Sequence, residues 1–70
     1  MDYFLNDMYQ KIEIAIDKSE KSVAFKNKLK DHLESREYRF AMAEIMEYRK
    51  NNKIEIDENI LNKFWDDYAN

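Results

Sequence analysis

Neither glycine nor proline occurs anywhere in the 70 residues of this chain. That double absence constrains the fold more than any motif does. Average usage would supply about five glycines and three or four prolines in this length. Without them, glycine hairpin turns are lost, and helix interiors hold neither of the two strongest breakers. Gly-rich phosphate loops and G-x-S-x-G nucleophile elbows go as well.

The apolar spacing then selects helices. Phe4, Leu5, Met8, Tyr9, Ile12, Ala15 and Ile16 form one stripe at i, i+4, i+8 spacing, predicting a first amphipathic helix from about Asp2 to Lys18. Ser19 and Ser22 mark a break, with a continuous, bent helix as the alternative. Phe25, Leu29 and Leu33 recur every four residues and give a second helix a narrow apolar face, from about Ser22 to Glu34. Ser35 reads as the N-cap of a third helix, about Arg36 to Lys50, with Tyr38, Ala41, Met42, Ile45, Met46 and Tyr48 inward. A fourth, from about Glu58 to Ala69, carries Ile60, Leu61, Phe64, Trp65 and Tyr68 on one side.

The intervening stretch "KNNKIEIDENI", Lys50–Ile60, alternates apolar and polar residues as a strand would. A lone alternation without a partner strand makes a poor sheet. Asn51 or Asn52 is expected to end the third helix in a left-handed conformation. Asp57 is expected to cap the fourth, with Ile56 and Leu61 at the spacing of a hydrophobic staple. The expectation is therefore all-α: a compact bundle of about four short amphipathic helices, no sheet, in one domain over residues 1–70 with mostly antiparallel neighbours.

Hydrophobic residues make up 44% of the chain, which argues against disorder. The longest apolar run is Phe40–Ala43, far short of the ~20 residues of a membrane span. With no basic leader at the N-terminus, a soluble, cytoplasmic protein is expected. The absence of cysteine suits a reducing compartment and removes disulfides, thiolate nucleophiles and Cys-based metal sites.

Catalysis finds no footing in these residues. His32 is the only histidine, so zinc and imidazole chemistry lack partners; it reads as a boundary residue with one polar tip in water. Glu44 and Glu47 share a helix face, but the Glu-x-x-His motif of di-metal bundles is missing. Ser19, Ser22 and Ser35 are all explained as helix-end residues. The expectation is no enzyme and no cofactor, and hence a binding module.

Charge favours one kind of partner over another. The net charge is −3, yet residues 18–30 hold five lysines against one glutamate, while residues 1–17 and 54–70 are acidic. Acidic ends favour a basic partner. Lys26, Lys28 and Lys30 are the only footprint for nucleic acid, and no arginine, asparagine or glutamine array accompanies them to read bases. Three apolar residues fall off the core stripes. Phe40 stands more than 90° from the third helix's core face, beside Glu37, Glu44 and Glu47. Tyr3 and Ile14 share a second stripe on the first helix, with Asp7 between them. Either other helices wrap these positions, or Phe40 is an exposed aromatic anchor ringed by acids.

The segment Leu29–Ala69 resembles the MafI-type family of small bacterial immunity proteins. The shared features are a short helix ending before "E-Y-x-x-A-M", a helix with "E-I-M-E-Y", an "N-x-I-x-I" connector and a terminal amphipathic helix. Family members often carry glycine before the "E-Y" pair and proline in the connector, where this chain has Arg36 and lysine or isoleucine. The resemblance implies an immunity protein that neutralises a cognate polymorphic toxin, commonly a nuclease, by stoichiometric binding. It transfers no contact residues. From the residues themselves, the expected partner-binding positions are Glu37, Phe40, Glu44 and Glu47, then Glu55, Asp57, Glu58 and Asp66, with Asp57 also committed as a cap. The alternatives are a phage or host regulatory module using the lysine-rich second helix on nucleic acid or its machinery, and a homo-oligomeric subunit.

Overall fold

The computed structural model describes residues 1–70. Four α-helices follow one another: α1 (Tyr3–Ala15), α2 (Glu20–Glu34), α3 (Tyr38–Asn52) and α4 (Glu58–Phe64), the last continuing as a π-helical turn over Trp65–Ala69. There is no strand. The fold is an all-α bundle, as the spacing predicts. Its core is one cluster of thirteen buried apolar residues drawn from every helix. Phe64, Leu29, Met8 and Ile45 are fully buried within it.

The N-caps show why the helices start where they do. Asp2 opens α1 by accepting from the Leu5 N–H at 2.8 Å. Ser19, not Ser22, caps α2, accepting from the Ser22 N–H. Ser22 instead lies buried in the first turn, its one hydroxyl proton shared between the carbonyls of Asp17 and Ser19, 2.5 and 2.8 Å away. Ile16 and Ser19 are extended, so α1 and α2 are separate helices and not one bent rod, and the Ser22 hydroxyl ties the turn between them. The first helix ends at Ala15, short of the expected Lys18. Asp57 caps α4, accepting from the Asn59 N–H at 2.9 Å. Ile54 and Ile56 are partly buried against the core, so the "KIEID" stretch is a connector.

Two expected helix ends are corrected. Ser35 does not cap α3; it closes α2, its N–H bonding the Asp31 carbonyl at 3.0 Å. The reversal is made by Arg36 at φ 60°, and α3 begins behind Glu37, which makes no side-chain cap bond. Neither Asn51 nor Asn52 stops α3. Both are helical, and Lys53 takes the left-handed conformation at φ 52°. Asn52 is occupied otherwise, donating from its amide to the Tyr48 carbonyl at 3.0 Å.

Aromatic rings join the helices. Phe25 of α2 stacks on Tyr48 of α3 at 4.1 Å between centroids. Tyr68 stacks on Phe4 of α1 at 5.6 Å and meets Tyr38 of α3 edge-on at 5.3 Å. Its hydroxyl donates to the second carboxylate oxygen of Asp2, so one aspartate both caps α1 and holds the last turn. Two residues expected in the core lie at its rim: Met46 and Trp65, each 43% exposed. Met46 sits at the edge of the α3 stripe. Trp65 opens the π-helical turn, in which the Asn70 N–H bonds its carbonyl at 2.7 Å. This wider turn brings Ala69 to the buried side and leaves the indole outside.

Candidate partner-binding face

Residues 37, 40, 44 and 47 are spaced three, four and three apart, which on one continuous helix would align them on one edge. The structure carries Phe40, Glu44 and Glu47 on α3 and leaves Glu37 as its non-helical N-cap, with His32 and Lys28 of α2 set against Phe40 and Glu44. Phe40 is 62% exposed; no other helix wraps it. Tyr3 and Ile14 are likewise uncovered, at 89% and 83%. The Phe40 ring is nevertheless supported from below. It stacks against the His32 imidazole at 5.8 Å, and His32 Nδ1 lies 3.3 Å from Glu37 Oε1. The turn between α2 and α3 makes this possible, because the Glu37 N–H bonds the His32 carbonyl at 2.8 Å.

His32 is thus the residue that sequence reasoning undervalued: its ring lies against the exposed Phe40. The available signal was its five-residue separation from Glu37 across a helix reversal. That signal becomes legible only once Arg36 is known to be left-handed.

The acids of this edge are not all free. Lys28 bridges to Glu44 at 2.9 Å, and this bond holds the Lys28 ammonium above its ordinary value. Beyond Glu44 the edge opens into a shallow groove of about 260 Å³ lined by Lys21, Lys28, Glu44, Glu47 and Asn51 among others. Glu47 is exposed and makes no ion pair. Two lysines therefore stand beside the glutamates of this edge.

The remaining expected contacts do not join this edge. Asp57 is exposed but engaged as the α4 cap. Glu58 pairs with Arg49 at 2.6 Å, on the side of α3 that faces α4. Glu55 and Asp66 are exposed and unpaired, in the connector and on the π-helical turn. The eight residues thus form one group of four at this edge and a scattered second group. The lysine-rich stretch is similarly dispersed: Lys26 pairs with Glu13 at 2.5 Å, Lys28 pairs with Glu44, and Lys18, Lys21 and Lys30 make no ion pair.

No helix is long and apolar enough to cross a membrane. Comparison with protein-family models, with curated proteins and with solved structures returned no match.

Proposed function

We propose that this protein is a stoichiometric inhibitor of the immunity type, which binds a basic toxin domain, such as a nuclease, in the cytoplasm through the Glu37–Glu47 edge of α3. The observation that carries the reading is Phe40: a phenylalanine 62% exposed, stacked against His32 and set beside three glutamates. An exposed aromatic flanked by charge has the composition of an interface hot spot. The glutamates steer a basic partner and the ring anchors it.

The resemblance over Leu29–Ala69 supports the toxin-neutralising form of this reading. The position where its members often have glycine is Arg36, which here is left-handed at φ 60°, a conformation that glycine adopts without cost. The departure is one of residue type at a backbone geometry that glycine would suit. The nucleic-acid reading draws less support, since Lys26 and Lys28 are both held by glutamates.

The test is direct. A tagged copy recovers a toxin domain from the source cell, and co-expression rescues cells making the neighbouring toxin. Glu44→Lys with Glu47→Lys slows association, and the wild-type on-rate falls with salt. Failure of both capture and rescue would refute the function; an unchanged on-rate would refute the face.

A further inference from the structure

Opposite the core, α1 carries an apolar feature that the α3 edge does not use. Tyr3 and Ile14 are the two most exposed large apolar side chains of the protein. Eleven residues separate them, about three helical turns, so they lie within about 20° of one another around the axis and about 16 Å apart along it. Asp7 and Gln10 fall between them on the same line. Leu5, Met8 and Ile12, which are buried, occupy the other side. The stripe is therefore apolar at both ends and polar in the middle.

We propose that this face is the contact between two copies of the chain, with their α1 helices antiparallel about a two-fold axis passing between Asp7 and Gln10. A two-fold contact brings the same surface of both copies together, so the pattern has to match its own reverse. This one does. Setting Tyr3 against Ile14 of the second copy also sets Asp7 against Gln10, an acceptor against a donor. Lys11, already 3.1 Å from Asp7 in its own chain, lies one residue further on and meets the carboxylate of the second copy. Any register that matches the apolar ends matches the polar centre. A partner of different sequence would not require that coincidence.

The ends fit as knob and groove. Ile14 forms one lip of a groove of about 510 Å³ shared with Ile16 and Val23 and rimmed by Glu13, Asp17 and Lys26. Tyr3 of the second copy, lying over Ile14, enters it with its ring on the isoleucines and its hydroxyl toward the carboxylates. Tyrosine suits such a slot, apolar along its body and polar at its tip. One helix from each copy buries less than the ~1,200 Å² of a stable interface. Association is therefore weak, with a dissociation constant of about 0.1–1 mM.

Sedimentation equilibrium on the whole chain, from about 10 µM to about 1 mM, tests this range directly. The expected result is an average mass rising toward twice the monomer value. Tyr3→Lys and Ile14→Lys, both at exposed positions and checked for helicity by circular dichroism, each weaken association at least about tenfold. Because the chain has no cysteine, Gln10→Cys supplies a single reporter. Across the proposed axis its two Cα atoms stand about 6–7 Å apart, within disulfide reach. It therefore oxidises to a cross-linked dimer faster than Lys30→Cys on α2. Monomer mass throughout, association that Tyr3→Lys leaves unchanged, or equal oxidation of the two cysteine variants would each overturn the proposal.

Discussion

Phe40→Ala separates binding from folding, and the size of the separation can be worked from burial. Fully burying a phenylalanine stabilises by about 1.5–3 kcal/mol. Phe40 is 62% exposed, so little more than a third of that applies, about 1 kcal/mol or less. The His32 stack adds little, since that ring is itself partly in water. The comparison is Phe64→Ala. Phe64 has no exposed surface, and emptying such a site costs about 3–5 kcal/mol. A domain of this size has about 4–10 kcal/mol in total. Phe64→Ala therefore unfolds the protein or brings it close, while Phe40→Ala leaves it folded with a melting temperature lower by no more than about 4–8 °C.

The binding arm runs the other way. If Phe40 anchors the toxin, its removal costs at least about 2 kcal/mol, roughly thirtyfold in the dissociation constant, and rescue of toxin-expressing cells is lost. Thermal melts of both variants and titration calorimetry with the captured partner measure the two arms. Two results refute the reasoning: a stability loss for Phe40→Ala equal to that of Phe64→Ala, or a folded Phe40→Ala that binds as wild type does.

Three further outcomes follow from the backbone and the titrating groups. Arg36→Gly and Lys53→Gly remove the steric cost of positive φ at both positions and each stabilise by about 0.5–1 kcal/mol in chemical denaturation, whereas Asn51→Gly, inside α3, destabilises by about 0.2–0.4 kcal/mol. The Tyr68 phenol is pushed up to about 12 by its hydrogen bond to Asp2 and by burial, so its contribution to stability is whole below the unfolded value of about 10 and lost as pH rises through about 12; Tyr68→Phe flattens that alkaline limb. Asp2 is held below the ordinary carboxylate value by the Leu5 N–H and then by Tyr68. Its contribution is whole above about pH 4 and lost on further acidification, and Asp2→Asn, which keeps an acceptor at the cap, makes the acid limb shallower in pH-dependent melts.

Helices and core were legible because both rest on periodicity, which local sequence carries in full. Phe25, Leu29 and Leu33 are buried because they recur every four residues. Helix ends were legible only where a side chain performs the capping, as at Asp57. Where the backbone does the work, residue type misleads. Asn51 and Asn52 are better left-handed residues than lysine, yet Lys53 takes that role, because the helical hydrogen bonds and the Asn52 amide bond to Tyr48 extend α3 past them. Ser35 is a good N-cap by type, but in a three-residue reversal a serine before a helix is also a serine after one. Trp65 was misplaced for another reason: a 3.6-residue period cannot anticipate a π-helical turn.

The site was half legible, and its illegible half is electrostatic. Alignment of Phe40, Glu44 and Glu47 follows from the spacing on α3, whereas exposure of the ring depended on which helices cover it and was decided only by the packing. What each carboxylate is free to do depends on residues from other elements that share no spacing rule with it: Lys28 on Glu44, Arg49 on Glu58, His32 beside Glu37. Among the eight expected contacts, Glu47, Glu55 and Asp66 are the acids with no ion pair, no capping bond and no histidine beside them. Acids already paired add little to the long-range field, since the neighbouring cation cancels most of the charge, whereas an unpaired carboxylate keeps its field out to a Debye length of about 8 Å. On the proposed reading, steering of a basic partner along the α3 edge rests on Glu47 more than on Glu44. The ion pair that quiets Glu44 also bridges α2 to α3 beside Phe40, so that reading gives Glu44 a bracing role and leaves the affinity to Phe40.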